Sequence, residues 1–227
     1  MPVQIHNAQG NEVRIPADFL ATQGGAIKFT GTGGSIEIGE DCHASQINLT
    51  IGDGCAVRIG NGCRLGLLSI YLFRDATVTI GGMTGFTRTC SLQCHESYDI
   101  SIGHGCLFAD DTWITVSDMH SVIDLASGER VNPGGPVRIA DRVWVGDGAA
   151  ILKGCSIGTG SVIAARALVS RDVPAQCVAA GVPARVVRTG ASWDFRLLPT
   201  SVAPPPPAPR KNGWADRLLR MAGLARR

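Results

Sequence analysis

A strict six-residue period runs through the C-terminal half of this 227-residue chain. Every sixth position holds a β-branched aliphatic residue: Ile139, Val145, Ile151, Ile157, Ile163 and Val169. Four positions after each of these comes a small or β-branched residue: Val143, Ala149, Cys155, Ser161, Ala167 and Val173. An α-helix repeats its faces about every 3.6 residues and a flat strand about every two, so neither fits a period of six. The pattern predicts short strands joined by corners, three strands to a triangular coil.

Such coils stack as parallel strands, and each coil buries its aliphatic residues only against its neighbours. The same frame recurs upstream in three sets: Ile102, Phe108 and Ile114; Ile80, Phe86 and Leu92; Ile59, Leu65 and Tyr71. The phase slips between these sets, which predicts bulges or corner insertions. We therefore expect an all-β parallel β-helix over residues 31–190, preceded by a lead-in over 1–30 and followed by a linker and tail over 191–227.

The composition limits the function classes. Hydrophobic residues make up 44% of the chain but aromatic residues only 5%, which fits a core of aliphatic and small side chains. The formal charge of +2 is too small to imply a nucleic-acid partner. Neither a secretory signal nor an apolar run of about 18 residues is visible, so the expected location is cytoplasmic.

The cysteines follow the repeat. Six of the eight occupy the small inward position: Cys42, Cys55, Cys63, Cys90, Cys106 and Cys155. We interpret them as small apolar residues in a reducing compartment. Cys90, Cys94 and His95 form the one tight cluster of metal-ligand types, but structural zinc requires four well-spaced ligands, so no metal is predicted.

The frame is lost between Ile114 and Ile139, where the chain is polar and rich in glycine and proline. This predicts a loop extruded over residues 117–136. Long loops in compact repeats often carry function. His120 lies at the start of this loop, at a position where the frame would place an aliphatic residue.

Two segments resemble a known family. The run from Val137 to Arg188, VRIADRVWVGDGAAILKGCSIGTGSVIAARALVSRDVPAQCVAAGVPARVVR, resembles hexapeptide-repeat acyltransferases of the galactoside, maltose and serine acetyltransferase type. The upstream segment SDMHSVIDLASGERVNPGG resembles the capsular polysaccharide O-acetyltransferases, including those that modify polysialic acid. The resemblance implies a left-handed β-helix, a homotrimer with the active site between subunits, acetyl-CoA as acyl donor and a carbohydrate acceptor.

The resemblance also implies roles for individual residues. It makes His120 the general base that deprotonates a sugar hydroxyl, a task suited to an imidazole. Trp144 would lie beside the reacting groups. The cofactor-binding residues matched to the family are Gly146, Ala165, Ser170, Arg171 and Arg185. Alternative interpretations stay open: a surface histidine, a tryptophan packed between subunits, and a solvated basic end of the solenoid. Asp118 is a candidate to orient the imidazole.

The acceptor side is less defined, with candidates His95, Glu96, Glu129 and Arg130. Two other functions remain open, an N-acyltransferase acting on an amino-sugar nucleotide and a non-catalytic β-helix scaffold subunit. Residues 203–209 read APPPPAP, a stiff spacer. The segment after it has the pattern of a short basic amphipathic helix. A peripheral contact of this tail with a membrane surface and an unordered tail are both open.

Overall fold

The computed structural model describes residues 2–199 and contains a parallel β-helix with three faces. The chain divides into two units, Met1–Trp193 and Asp194–Arg227, and the β-helix belongs to the first. Of the second unit, residues 194–199 are described, and they are irregular with an ion pair of 3.0 Å between Asp194 and Arg196. The predicted proline-rich spacer and amphipathic tail over 203–227 lie outside the described residues.

Each face of the β-helix is one sheet, and the chain visits the faces in turn. Face 1 consists of β1 (Gln4–His6), β3 (Gly25–Phe29), β5 (Gln46–Asp53), β7 (Leu67–Arg74), β10 (Thr89–Cys94), β13 (Thr112–Thr115), β16 (Ala150–Ile151) and β19 (Leu168–Val169). Face 2 consists of β2 (Glu12–Arg14), β4 (Ser35–Ile38), β6 (Ala56–Ile59), β8 (Thr77–Ile80), β11 (Ile100–Ile102), β14 (Val137–Ile139) and β17 (Ser156–Ile157). Face 3 consists of β9 (Gly85–Phe86), β12 (Leu107–Phe108), β15 (Trp144–Val145), β18 (Val162–Ile163), β20 (Cys177–Ala180) and β21 (Arg185–Thr189).

Neighbouring strands on each face pair in parallel, except that β21 turns back antiparallel to β20. The predicted lead-in over 1–30 already contains β1, β2 and β3, and these pair with later coils, so the stack begins at Gln4 and not at residue 31. A short helix, α1 (Ala17–Thr22), lies between β2 and β3, and its Phe19 joins the core. The six-residue pattern gave no signal for this helix.

The core confirms the predicted repeat. All six aliphatic positions from Ile139 to Val169 are at most 3% exposed, and all six small positions from Val143 to Val173 are at most 5% exposed. All eight cysteines are buried and free. Among residues 2–199, no helix is long and apolar enough to cross a bilayer.

Tyr71 is a correction to the upstream frame. The six-residue spacing from Leu65 predicted an inward side chain, yet Ile70 and Leu72 are the buried residues and Tyr71 points outward. Two features explain the shift. Gly66 adopts a positive φ of 53°, and the following strand β7 is eight residues long. The next buried residue after Leu65 is Leu68, three positions on, so the corner at Gly66 shifts the phase by one residue. The alternation along β7 then turns Ile70 and Leu72 inward and Tyr71 outward.

The corners are held by side chains that bond to the preceding coil. Asp141 Oδ1 accepts from the backbone N–H of His104 at 2.7 Å, and Asp172 Oδ1 accepts from that of Ser156 at 2.7 Å. A Cβ at Gly103 would lie 2.4 Å from Asp141 Oδ1, so only glycine leaves room for this bond. Coil stacking is therefore maintained at the corners by polar bonds as well as by the apolar core.

Candidate active site

The predicted extruded loop leaves the β-helix at the corner between faces 1 and 2, which we name the loop edge. It starts after β13 and returns to β14 at Val137. Its neck is closed by a hydrogen bond of 2.9 Å from the Gly135 N–H to the Val116 carbonyl. Gly135 also lies against Gly154 of the next coil, where a Cβ would come within 3.0 Å of the Gly154 Cα. The loop is thus anchored on two coils.

Asn132 is the centre of a polar network that fixes the start of the loop. Its Nδ2 donates to Asp118 Oδ2 at 2.8 Å and to the His120 carbonyl at 2.8 Å. Its Oδ1 accepts from the Val122 N–H at 2.7 Å. Lys153, from the loop edge one coil further on, forms an ion pair with Asp118 and donates to the Asn132 carbonyl at 3.1 Å. The backbone on both sides of His120 is therefore held in one position.

Arg130 ties the loop to the end of β10. Its guanidinium donates two hydrogen bonds to the carboxylate of Glu96, at 2.6 and 3.0 Å, and a third to the Asn132 carbonyl at 2.9 Å. Bidentate bonds of this kind fix orientation as well as distance. The bond from Arg130 is the main reason that the pKa of Glu96 lies below its usual range. Glu96 and Arg130 were predicted candidates for binding the sugar acceptor, and in the structure they are bonded to each other.

His120 is exposed at the loop edge, with its backbone N–H bonded to the Asp118 carbonyl at 2.7 Å. Asp118 was a candidate to orient its imidazole. Instead, the Asp118 carboxylate is occupied by Lys153 and Asn132, and these two partners, in that order, lower its pKa. The contribution of this carboxylate to loop stability is present at neutral pH and is lost as the pH falls below 3.8.

His95 lies close to His120 on the outer side of face 1. Burial lowers the pKa of His95, and the charge of His120 lowers it further. The His95 Nε2 is 3.0 Å from Gln93 Oε1, and its ring stacks on Tyr71 with the centroids 4.6 Å apart. Sequence reasoning included His95 among the acceptor candidates but missed Tyr71 and Gln93, because the frame had assigned Tyr71 to the core.

Trp144 lies elsewhere, on the outer side of face 3, and is 39% exposed. Its ring is 6.2 Å from that of Trp193, and the Trp193 Nε1–H donates to the Arg142 carbonyl at 2.6 Å. The Arg142 guanidinium lies 5.9 Å from the centre of the Trp193 ring. Trp193, which the sequence did not single out, therefore packs beside Trp144.

Gly146, Ala165 and Arg185 lie near the corner between faces 3 and 1, which we name the donor edge. The Gly146 N–H donates to the Ile163 carbonyl at 2.8 Å, so this N–H is engaged in the stack. A Cβ at position 146 would lie 2.6 Å from the Ala165 nitrogen, which explains the glycine. Ala165 and Arg185 are exposed, and Arg185 Nη1 donates to the Ala184 carbonyl at 2.8 Å.

Ser170 and Arg171 follow β19 and are exposed at the loop edge, on the same corner of the β-helix as His120. The candidate residues therefore fall into two groups on one chain. The loop-edge group contains His120, Ser170 and Arg171. The second group, on face 3 and the donor edge, contains Trp144, Gly146, Ala165 and Arg185. A single chain does not bring the two groups together.

An open groove of about 490 Å³ lies on the outer side of face 2, lined by Arg138, Ser156, Asp172 and their neighbours. None of the candidate residues lines it. Within residues 2–199, no group of three or more histidine, cysteine or acidic side chains is arranged to hold a metal ion.

Replacing Lys153 with methionine should loosen the loop without unfolding the β-helix. We expect amide hydrogen exchange at Val122 and Val131 to rise about fivefold, which corresponds to roughly 1 kcal/mol for a partly exposed ion pair. Hydrogen-exchange mass spectrometry measures this. Arg166→Met, which removes an exposed ion pair with Asp147, is the control and should leave exchange in the loop unchanged. Equal exchange in the Lys153 variant and the wild type would show that the network does not hold the loop.

Comparisons with known proteins confirm the resemblance drawn from the sequence. Residues 136–171 match the family model described as bacterial transferase hexapeptide (six repeats). The chain is 32% identical to a polysialic acid O-acetyltransferase of Neisseria meningitidis over 133 residues, which is 49% of this chain and 61% of the relative. It is 32% identical to a galactoside O-acetyltransferase of Escherichia coli K12 over 120 residues, 52% of this chain and 57% of the relative.

A third relative, a polysialic acid O-acetyltransferase of Escherichia coli O1:K1, is 33% identical over 98 residues, which is 43% of this chain. The matched part spans only 32% of that relative. The chain thus spans between a third and three fifths of the length of these curated relatives.

Two solved structures share the fold over nearly the whole chain. The polysialic acid O-acetyltransferase OatWY superposes with a TM-score of 0.77 at 24% identity, covering 97% of this chain and 99% of that one. The polysialic-acid-specific acetyltransferase NeuO superposes with a TM-score of 0.73 at 26% identity, covering 96% and 97%. At 24% identity, the likeness to OatWY shows the β-helix fold alone.

Proposed function

We propose that this chain, a β-helix with the hexapeptide transferase repeat over residues 136–171, is an acetyl-CoA-dependent O-acetyltransferase. The acceptor is a hydroxyl of a surface or capsular polysaccharide or of a related sugar. One observation carries the proposal: the backbone around His120 is held on both sides by Asn132, while the residue itself stays exposed. A general base must be both positioned and accessible, and here the backbone supplies the position while the imidazole is open to solvent.

The reaction needs one proton carrier. A sugar hydroxyl is a weak nucleophile, and His120 takes its proton as the oxygen attacks the thioester carbonyl carbon. The oxygen–carbon bond forms and the carbon–sulfur bond then breaks. The imidazolium returns the proton to the sulfur of CoA. Because the Gly146 N–H is already bonded to Ile163, we assign stabilisation of the oxyanion to another donor, with the indole N–H of Trp144 as the leading candidate.

The remaining candidate residues bind the acyl donor, acetyl-CoA. Arg171 and Arg185 are exposed guanidinium groups suited to the phosphates of CoA. Ala165 and Ser170 are small exposed residues that leave room for the pantetheine arm. Arg185 and Ala165 belong to the donor edge, whereas Arg171 and Ser170 belong to the loop edge.

This division supports a homotrimer. Closed rings with threefold symmetry place one surface of a subunit against a different surface of the next. In such a ring the loop edge of one subunit faces the donor edge of its neighbour, and each active site takes His120 from one chain and Trp144 from the other. The eight free buried cysteines fit a reducing compartment, and we place the reaction in the cytoplasm.

The test is an acetyl-transfer assay with the purified full chain. Acetyl-CoA is supplied with a panel of oligosaccharides and one amino-sugar nucleotide, and free CoA thiol is measured alongside the NMR signals of the acetylated product. We expect thiol release coupled to an O-acetyl ester. An N-acetyl amide as the product would replace the proposal with an N-acyltransferase. Failure to bind acetyl-CoA would contradict the proposal and favour a non-catalytic scaffold subunit.

A further inference from the structure

The outer side of face 1 carries two parallel columns of uncharged side chains. The strand register places Asn48, Ser69 and Ser91 in one column and Thr50, Tyr71 and Gln93 in the next. We name these six residues the neutral strip. Since neighbouring strands lie about 4.8 Å apart, the strip together with Trp113 of the next strand extends about 14 Å along the β-helix. It ends beside the loop that carries His120.

The end of the strip nearest His120 combines an aromatic surface with amide and hydroxyl groups. Tyr71 and the ring of His95 stack, and both are partly exposed. Gln93 lies between them and the column of serines, donating to Ser91 Oγ at 2.6 Å. Sugars present apolar C–H faces that pack on rings and hydroxyls that both donate and accept. Amide and hydroxyl side chains both donate and accept hydrogen bonds, whereas a charged side chain does only one of the two.

Charges border the strip on both sides, and they are paired. Arg74 lies 4.0 Å from Asp53, and Arg88 lies 3.6 Å from Asp110. At the loop, Arg130 is bonded to Glu96 and Lys153 to Asp118. On face 1 itself, Lys28 is the nearest cation along the column, next to Thr50 at the end far from His120. A polyanion lying on the strip could reach Lys28 at the far end, but it would have to compete with a carboxylate for each of the four cations that border the strip.

We propose that the neutral strip is the acceptor subsite and that it takes an uncharged oligosaccharide rather than an anionic glycan. The inference rests on the proposed function, because the strip matters as an acceptor site only if His120 activates a hydroxyl. The oligosaccharide runs along the β-helix, with one sugar on the rings of Tyr71 and His95 and the following sugars on the serine and asparagine column. This uncharged acceptor differs from the polysialic acid named for the relatives, which is anionic.

The experiment compares acceptors of opposite charge on the full chain loaded with acetyl-CoA. The neutral probes are maltohexaose, cellohexaose and a galactan hexasaccharide, and the anionic probe is an α2,8-linked sialic acid hexamer. We expect acetylation of at least one neutral probe and slow or undetectable acetylation of the sialic acid hexamer. The KM of a neutral acceptor should not change between about 0.05 and 0.5 M salt, since screening acts only on charges. Preference for the anionic probe, or a KM that rises with salt, would overturn the inference.

Substitutions locate the subsite. Tyr71→Ala should raise the acceptor KM about tenfold, while Tyr71→Phe should keep it within about twofold because the ring remains. The affinity for acetyl-CoA, measured by calorimetry, should be the same in both variants. An unchanged acceptor KM in Tyr71→Ala would rule out the strip. Dissociation of the oligomer in that variant, measured by analytical ultracentrifugation, would instead make face 1 a subunit interface and also reject the inference. Loss of acetyl-CoA binding in the wild type would count against the proposed function and not against the strip.

Discussion

His120→Ala lowers kcat by at least about a hundredfold, the factor that removal of a general base predicts. The KM for acetyl-CoA should change little, because the imidazole acts on the acceptor proton. The side chain is exposed and, within residues 2–199, makes no bond that supports the loop, whose fixed geometry depends on Asn132 and Lys153. The variant should therefore fold and assemble as the wild type does. Steady-state release of CoA thiol measures the loss.

The control is His104→Ala, which removes another exposed imidazole at the corner between faces 2 and 3, a different corner from the loop edge. Its backbone N–H bond to Asp141 does not depend on the side chain, so activity should stay within about twofold. Near-normal turnover in the His120 variant would mean that a different group accepts the hydroxyl proton. His95 would then be the next residue to replace, since it is the neighbouring imidazole.

Leu92→Ala destabilises the β-helix by about 2–5 kcal/mol, the range measured for truncation of a large aliphatic residue in a packed core. Leu92 is fully buried in β10, between Ile70 of β7 and Ile114 of β13. The cavity would open between three coils that hold one another in place. Urea denaturation followed by circular dichroism should show a lower midpoint.

Thr79→Ala is the matched control on the outer side of β8, where the side chain is exposed. Its cost should stay below about 1 kcal/mol, which is the range of strand propensity. Equal midpoints for the two variants would indicate that the predicted inward column does not carry the stability of the stack.

The repeat made the core predictable because one side chain in each unit must be large and apolar and another must be small. Positions from Ile139 to Val169 obey this rule without exception, and so do the six cysteines at the small inward position. The rule fails where a corner changes the phase, and Tyr71 shows the reason. Leu68 is buried three positions after Leu65, so the alternation along β7 turns Ile70 and Leu72 inward and leaves Tyr71 on the outer side.

The position of the loop was predictable, but its internal bonds were not. Loss of the frame after Ile114 located the departure of the chain. The pairing of Asp118 with Lys153 joins residues 35 positions apart, and that of Glu96 with Arg130 joins residues 34 apart. No local pattern encodes such pairs, because they depend on which corners stack on which. The helix α1 was missed for a different reason, since six residues give too short a pattern to recognise.

The resemblance supplied the candidate residues, and the topology shows how they are distributed. The resemblance implied an active site between subunits without saying how one chain divides it. The three-face order places His120 and Trp144 on different sides of one chain, because β13 leads to the loop edge whereas β15 lies on face 3. The proposed active site therefore requires a second copy of the chain.

Mixed trimers test this dependence most directly. One chain carries His120→Ala, and the other carries Trp144→Ala with Arg185→Glu; co-expression with two different tags allows trimers containing both to be isolated. In a ring of two such chain types, one junction in three pairs an intact His120 with an intact donor edge, so the mixed trimers should recover about one third of wild-type turnover. Each variant alone should be nearly inactive. Mixed trimers that remain as inactive as the parent variants would contradict a site shared between subunits.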